Sequence, residues 1–204
     1  MMRVKICGIT RIEDAVIATD LGAFALGFVF WPGSPRCLDE EAARAIVDSL
    51  PADVFKVGVF VNQPIEEVRR ISAAAAVNVV QLHGDEPAEY VRDVGLPVFK
   101  SVAVHGGFAI EQLDAVAQDV TVLLDAHDPV MRGGTGRTID WSLAAAAAVR
   151  RPVILSGGLT PDNVGAAVDA VHPFAIDVSS GVEQSPGVKD PGRLRALFDA
   201  VRHD

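Results

Sequence analysis

The chain has 204 residues, 50% hydrophobic and 22% charged, a balance that supplies a full apolar core and excludes a disordered chain. Its 27 acidic against 18 basic residues give a formal net charge of −9, which argues against nucleic acid as a partner, because phosphate backbones are met by a basic footprint. The longest stretch free of Asp, Glu, Lys and Arg, residues 21–35, is broken by Gly and Pro and falls short of the about 20 apolar residues that cross a bilayer, so no membrane partner is expected.

Short apolar, β-branched runs alternate along the chain with longer stretches of helical period. Met1 to Lys5 lead straight into a strand at 4–7 without an apolar signal-peptide core, so the expected location is the cytoplasm. A helix at 11–21 follows, then strand 25–30 and helix 39–50, strand 54–61 and helix 64–76, strand 77–82 and helix 87–94. The second half repeats the pattern with strand 97–102 and helix 110–117, strand 120–125 and helix 140–149, strand 152–155 and helix 161–171. Strand 174–178 and helix 191–202 close the chain. Asp39 and Thr160 are read as N-caps, and Pro64, Pro87, Pro161 and Pro191 as first-turn residues.

Eight such units leave about 25 residues each, enough for a strand, a helix and two tight connections. The expected fold is a single-domain (β/α)8 TIM barrel spanning 1–204. A doubly wound open sheet shows the same alternation but often carries a Gly-rich turn after its first strand, and Cys7-Gly8-Ile9-Thr10 is no dinucleotide fingerprint. No Pro/Ser linker divides the chain. Cys7 and Cys37, the only cysteines, are too few for a disulfide framework and lack the clustered spacing of a structural zinc site.

In a barrel the chemistry sits on loops leaving the carboxyl ends of the strands, with phosphate commonly held by the last two. Ser156-Gly157-Gly158 and Ser179-Ser180-Gly181 follow those strands with small residues that let backbone N–H groups approach an anion, so a phosphorylated substrate is expected. One Gly pair alone would mark only a turn. Cys7 ends the first strand pointing into the mouth; the period of two then sends Lys5 inward, where a buried ammonium needs a carboxylate from Asp125 or Asp177. A lone Cys is more often a small buried hydrophobe, and an Asp after a strand more often a loop cap. Arg36 is placed to meet a substrate carboxylate through two parallel hydrogen bonds, the alternative being a surface ion pair with Asp39 or Glu40. His83 is read as a supporting polar group, Cys37 as incidental, and the Gly-rich stretch 131–137 as a lid or an ordinary loop.

Taken together, Lys5-Ile6-Cys7-Gly8-Ile9-Thr10, Ser34-Pro35-Arg36, Val57-Gly58-Val59-Phe60-Val61-Asn62, Gln81-Leu82-His83-Gly84, Leu124-Asp125, Gly133-Gly134-Thr135-Gly136, Leu155-Ser156-Gly157-Gly158-Leu159 and Asp177-Val178-Ser179-Ser180-Gly181-Val182-Glu183 closely resemble the phosphoribosylanthranilate isomerase family. These motifs run in family order to Pro186-Gly187-Val188-Lys189-Asp190, so the resemblance covers almost the whole chain. Ile139, before Asp140-Trp141, departs from the Phe often found there, which touches packing only.

The resemblance implies the tryptophan-pathway Amadori rearrangement of N-(5-phosphoribosyl)anthranilate to 1-(2-carboxyphenylamino)-1-deoxyribulose 5-phosphate, without cofactor or metal, in a monomer or homodimer. By carry-over Asp125 is the general acid and Cys7 the general base. Arg36 would hold the anthranilate carboxylate, Asp177 a sugar hydroxyl, and Gly157, Gly158, Ser179, Ser180 and Gly181 the phosphate, with His83 in support. A cation such as Lys5 or Arg36 would favour the Cys7 thiolate. Two other readings stand beside this one. Another sugar-phosphate epimerase or aldolase barrel would want metal-ligating residues or a Schiff-base lysine at a strand end, for which Lys100 and Lys189 are poorly placed. A non-catalytic phosphate-ligand barrel would have no use for both Cys7 and Asp125.

Overall fold

A computed structural model of the protein describes residues 2–104, 107–126 and 138–202. Eight parallel strands close into a barrel in chain order: β1 (Arg3–Cys7), β2 (Ala25–Val29), β3 (Phe55–Phe60), β4 (Val79–Leu82), β5 (Val98–Val104), β6 (Thr121–Ala126), β7 (Val153–Leu155) and β8 (Ala175–Val178). β1 pairs with both β2 and β8, which closes the ring. The connecting helices are α1 (Ile12–Asp20), α2 (Glu40–Val47), α3 (Ile65–Ala74), α4 (Ala88–Asp93), α5 (Trp141–Arg150), α6 (Val164–Val171) and α7 (Pro191–Ala200). All eight expected strands form, and no helix among the described residues is long and apolar enough to cross a membrane.

The period of two sorts the strand residues into two cores. Alternate positions such as Ile6, Leu26, Phe60, Leu82, Leu124, Leu155 and Ile176 join the helices in the outer layer. Inside the barrel, β2 to β8 each give one residue to a closed cluster of Ala25, Val57, Val79, Phe99, Leu123, Ile154 and Ala175. β1 breaks the pattern, because the residue in register with Ala25 is Lys5. One strand therefore carries a charge into an otherwise apolar layer.

Three expectations about the connections are corrected. The fifth helix, read at 110–117, is a 3-10 segment, Ile110–Ala115, whose single buried residue is Leu113. One apolar anchor gives too little burial to hold about two α turns, and the buried guanidinium of Arg151 instead collects the carbonyls of Leu113, Val116, Ala117 and Val120 at 2.6–3.1 Å. Helix α6 starts at Val164 rather than 161: Asn163 Oδ1 accepts from the Thr160 N–H at 2.8 Å and its Nδ2 donates to the Gly158 carbonyl at 3.0 Å, which folds 160–163 into a turn. Thr160 is therefore not a helix cap. Pro64 and Pro87 stand one position before their helices, whereas Pro191 does begin α7 and Asp39 does cap α2 by accepting from the Ala42 N–H at 2.7 Å. After β8 the chain also forms an unforeseen antiparallel ribbon, β9 (Glu183–Ser185) with β10 (Val188–Lys189).

Candidate active site

A pocket opens at the carboxyl ends of the strands, its wall including Cys7 from β1, Arg36 after β2, Gln81 from β4 and His83 just after it, Asp125 from β6, and Asp177 and Ser179 from β8 and its loop. The strand alternation explains the convergence. Gln81, Asp125 and Asp177 each lie two residues beyond a member of the interior cluster, Val79, Leu123 and Ala175, so they share its direction one layer nearer the mouth.

Lys5 is fully buried and donates to Asp177 Oδ1 at 2.7 Å; of the two carboxylates weighed for it, Asp177 is the partner. Burial alone would pull Lys5 down, but the charges of Asp177 and Cys7 carry it above the ordinary lysine value. Cys7 experiences the opposite balance. Burial pushes the thiol up and Asp177 adds to this, while Lys5 and Lys189 draw it down without prevailing. Gly27 on β2 makes the arrangement possible, since a Cβ there would lie 2.8 Å from Cys7 Sγ and 3.2 Å from Lys5 Nζ.

Arg36 is buried and binds neither Asp39 nor Glu40. Its Nε and one terminal nitrogen clasp the two carboxylate oxygens of Glu183 at 2.9 and 2.6 Å, a two-bond fork that raises the guanidinium pKa further. The two-bond face of Arg36 expected to grip substrate is thus occupied by Glu183, while the residue still lines the pocket. Glu183 is braced again by Lys189 at 2.8 Å, which also donates to the carbonyls of Cys7 at 2.6 Å and Ser179 at 3.2 Å. Burial opposes ionisation of Glu183, yet these two cations hold it below the usual carboxylate range. The β9–β10 ribbon therefore ties the loop after β8 to the end of β1 and to Arg36.

His83 Nε2 lies 3.1 Å from Asp125 Oδ2, and Gln81 Nε2 lies 2.9 Å from His83 Nδ1. The turn that holds His83 is pinned by buried Glu86, which accepts from the N–H groups of Asn62 and Gly84 and from Lys100 at 2.8 Å. Lys100 is spent on that brace. Asp125 also accepts from the Ala126 N–H at 2.9 Å.

The expected phosphate residues divide between two places. Ser179 lines the central pocket, joined by Ser156. Gly158, Ser180 and Gly181 line a neighbouring open cleft with Thr160 and Arg193. Gly157 and Gly158 both take the left-handed backbone region, with φ of 90° and 61°, and a Cβ on Gly157 would lie 3.1 Å from Ile139 Cγ2. The lid read at 131–137 lies outside the described residues, as do His127 and Asp128. Among the described residues no group of three or more His, Cys, Asp or Glu is arranged to hold a metal ion.

A family model described as N-(5'phosphoribosyl)anthranilate (PRA) isomerase matches residues 4–200. The chain belongs to this family. An N-(5'-phosphoribosyl)anthranilate isomerase from Geobacter metallireducens is 50% identical over 200 residues, 97% of this chain and 98% of the relative. The crystal structure of phosphoribosyl anthranilate isomerase from Thermus thermophilus aligns with a TM-score of 0.90 at 48% identity, covering 98% of each chain. A phosphoribosyl anthranilate isomerase crystallised with reduced 1-(o-carboxyphenylamino)-1-deoxyribulose 5-phosphate aligns with a TM-score of 0.88 at 42% identity, covering 99% of each. Family membership makes the chain an isomerase of tryptophan biosynthesis.

In this PRA isomerase barrel, sequence reasoning gave no site role to Gly27, Gln81, Glu183 and Lys189. Glu183 and Lys189 lay inside the motifs that carried the resemblance, but nothing local in the sequence joins Glu183 to Arg36, 147 residues away. Gln81 had a usable signal: a polar residue two positions past an inward-facing valine.

Proposed function

We propose that the chain converts N-(5'-phosphoribosyl)anthranilate into 1-(2-carboxyphenylamino)-1-deoxyribulose 5-phosphate by general acid–base catalysis, with Asp125 as acid and Cys7 as base. The observation that carries this reading is that Cys7 and Asp125 stand on the wall of one pocket that also receives Arg36, Ser156 and Ser179. Asp125 gives its proton to the furanose ring oxygen. The C1–O bond breaks as the anthranilate nitrogen supplies its electron pair, leaving a protonated Schiff base. Cys7 then takes the C2 proton, and the released pair forms an enolamine that tautomerises to the ketone. The steps need one proton donor and one acceptor, and no cofactor or metal.

Arg36, braced by Glu183, meets the anthranilate carboxylate. Asp177 receives a sugar hydroxyl while Lys5 steadies its other oxygen. Gly157, Gly158, Ser179, Ser180 and Gly181 take the phosphate through backbone N–H groups and hydroxyls. The acting form is a monomer or a homodimer, and the net charge of −9 speaks against a nucleic-acid partner. The free, exposed Cys37 suits the reducing cytoplasm.

The deciding test is turnover of N-(5'-phosphoribosyl)anthranilate, run beside the related histidine-pathway aminoaldose and repeated with a chelator. We expect rapid, chelator-insensitive turnover of the anthranilate compound. Absence of turnover, or a metal requirement that survives controls, overturns the reading.

A further inference from the structure

The pocket wall is divided by chemistry. From β4 round to β8 every lining residue is polar, whereas the β2–β3 side gives Val29, Trp31, Val59 and Val61. Val29 and Val59 are paired in register on neighbouring strands, and with Cys7 they form a small cluster, separate from the two barrel cores, against which Trp31 packs. Cys7 therefore stands where the apolar side meets the polar one.

Two features of the loop after β2 hold the indole in place. A Cβ on Gly33 would lie 2.4, 2.6 and 2.7 Å from Trp31 Cζ2, Cη2 and Cε2. Near-equal distances to three adjoining ring atoms put residue 33 over the face of the indole, where only a residue without a side chain fits. The loop itself is closed by the Ser34 N–H donating to the Trp31 carbonyl at 3.0 Å and the Leu38 N–H to the Val29 carbonyl at 2.9 Å. Further along, the same loop carries Arg36, whose guanidinium is fixed by Glu183. One braced loop thus brings an aromatic ring and a cation to the same pocket.

An aromatic ring laid over the polar side would strip those groups of water without returning hydrogen bonds, and sugar hydroxyls laid over valines would lose theirs. A ligand with an apolar ring at one end and a phosphorylated sugar at the other therefore fits in one direction only. We propose that Trp31, with Val29, Val59 and Val61, is the specificity-determining surface for the arylamine ring of the substrate, the indole packing against that ring while Arg36 meets its carboxylate. This rests on the reading of N-(5'-phosphoribosyl)anthranilate as the substrate. The ring then lies on the β2–β3 side, the phosphate at the loops after β7 and β8, and Cys7, at the seam, is closest to the sugar carbons next to the amine.

The test measures, by calorimetry, the binding of reduced 1-(o-carboxyphenylamino)-1-deoxyribulose 5-phosphate, of its analogue with phenyl in place of carboxyphenyl, and of ribitol 5-phosphate, which has no ring. Trp31→Ala should weaken both aryl probes about tenfold, the worth of one good aromatic contact, and leave ribitol 5-phosphate unchanged. In turnover it should raise KM by a similar factor with kcat little changed. Trp31→Phe should keep both aryl probes within about threefold of the unmodified protein. Gly33→Ala, which retains Trp31 but displaces its indole, should weaken the aryl probes in the same selective way. Aryl probes that bind Trp31→Ala as tightly as the unmodified protein overturn the proposal. An equal loss of ribitol 5-phosphate also overturns it, since the indole would then support the pocket as a whole. Should Trp31→Ala not fold, Gly33→Ala and Trp31→Phe carry the same comparison. Failure of the substrate reading shows differently, as absent turnover of N-(5'-phosphoribosyl)anthranilate by the unmodified protein, whereas the three probes report ring preference without turnover.

Discussion

Lys5 Nζ and Asp177 Oδ1 meet at 2.7 Å across the β1–β8 pairing that closes the barrel, the lysine fully buried and the two residues in register. Lys5 lies at the level where the other strands contribute apolar side chains, and Asp177 one layer nearer the mouth, on the pocket wall with Cys7 and Asp125. The pair is thus both part of the fold's closure and the electrostatic floor of the site. A buried pair is weak evidence for net stability, but removing one partner strands the other charge out of water.

Lys5→Met should therefore be strongly destabilising, by about 3–5 kcal/mol in urea unfolding, because Asp177 is left buried without its cation. Lys5→Met combined with Asp177→Asn should recover part of that loss, since neither charge then remains. Equal or additive losses in the double variant would show that the two side chains act independently.

Glu183 gives a pH dependence with a definite sign. Its folded pKa is lowered by Arg36 and Lys189 against the pull of burial, so the stability it contributes is present above the ordinary glutamate value and is lost as pH falls through the lower folded value. Urea midpoints of the unmodified protein and Glu183→Gln should differ most near neutrality and converge as the pH is taken below about 4. A gap that widens in acid would contradict the assignment.

Arg36→Ala should separate binding from chemistry. The guanidinium is held by Glu183 at 2.9 and 2.6 Å and so is aimed before substrate arrives. Its loss should weaken substrate and product binding about ten- to hundredfold, read as KM and product inhibition, with a smaller effect on kcat. Glu183→Gln keeps the cation but loosens its aim, and should raise KM by less.

Asp125→Asn should fold as the unmodified protein and lose about 10²–10⁴-fold in turnover, the usual worth of a general acid. The amide preserves the shape and the contact with His83, so intact product binding with failed turnover is the expected pattern. A loss under tenfold removes Asp125 from the role.

Much of this site was legible because the barrel turns sequence into position. Alternation put Lys5 inward with Cys7, strand-end position singled out Asp125 and Asp177, and the Gly- and Ser-rich ends of the last two strands marked the loops that follow them. Partner choice was not legible. Arg36 reaches past the nearby Asp39 and Glu40 to Glu183, because a ribbon that pattern reading did not register brings β9 beside the loop after β2. Turns also escaped: Asn163 unwinds the start of α6, and a thinly anchored 110–115 segment settles as a 3-10 helix under Arg151, since both depend on side-chain bonds rather than on hydrophobic period.

Cys7 supplies the sharpest test, because a buried structural thiol and a catalytic base differ in reactivity. Burial pushes its pKa above the ordinary thiol value while Lys5 and Lys189 oppose the shift, so the reactive thiolate should grow as pH rises. Iodoacetamide should accordingly modify Cys7 faster at higher pH, abolish activity in proportion to labelling, and act more slowly when a product analogue fills the pocket. Cys37, free and exposed, should also label, without any relation to activity. Cys7→Ser keeps the size of the group but removes an accessible anion; it should fold, bind product and lose about 10²–10⁴-fold in turnover. Its kcat/KM should also lack the acid-side limb that a thiol base gives the unmodified protein. Near-normal turnover in Cys7→Ser would transfer the base role to Asp177 or His83, which share the pocket wall.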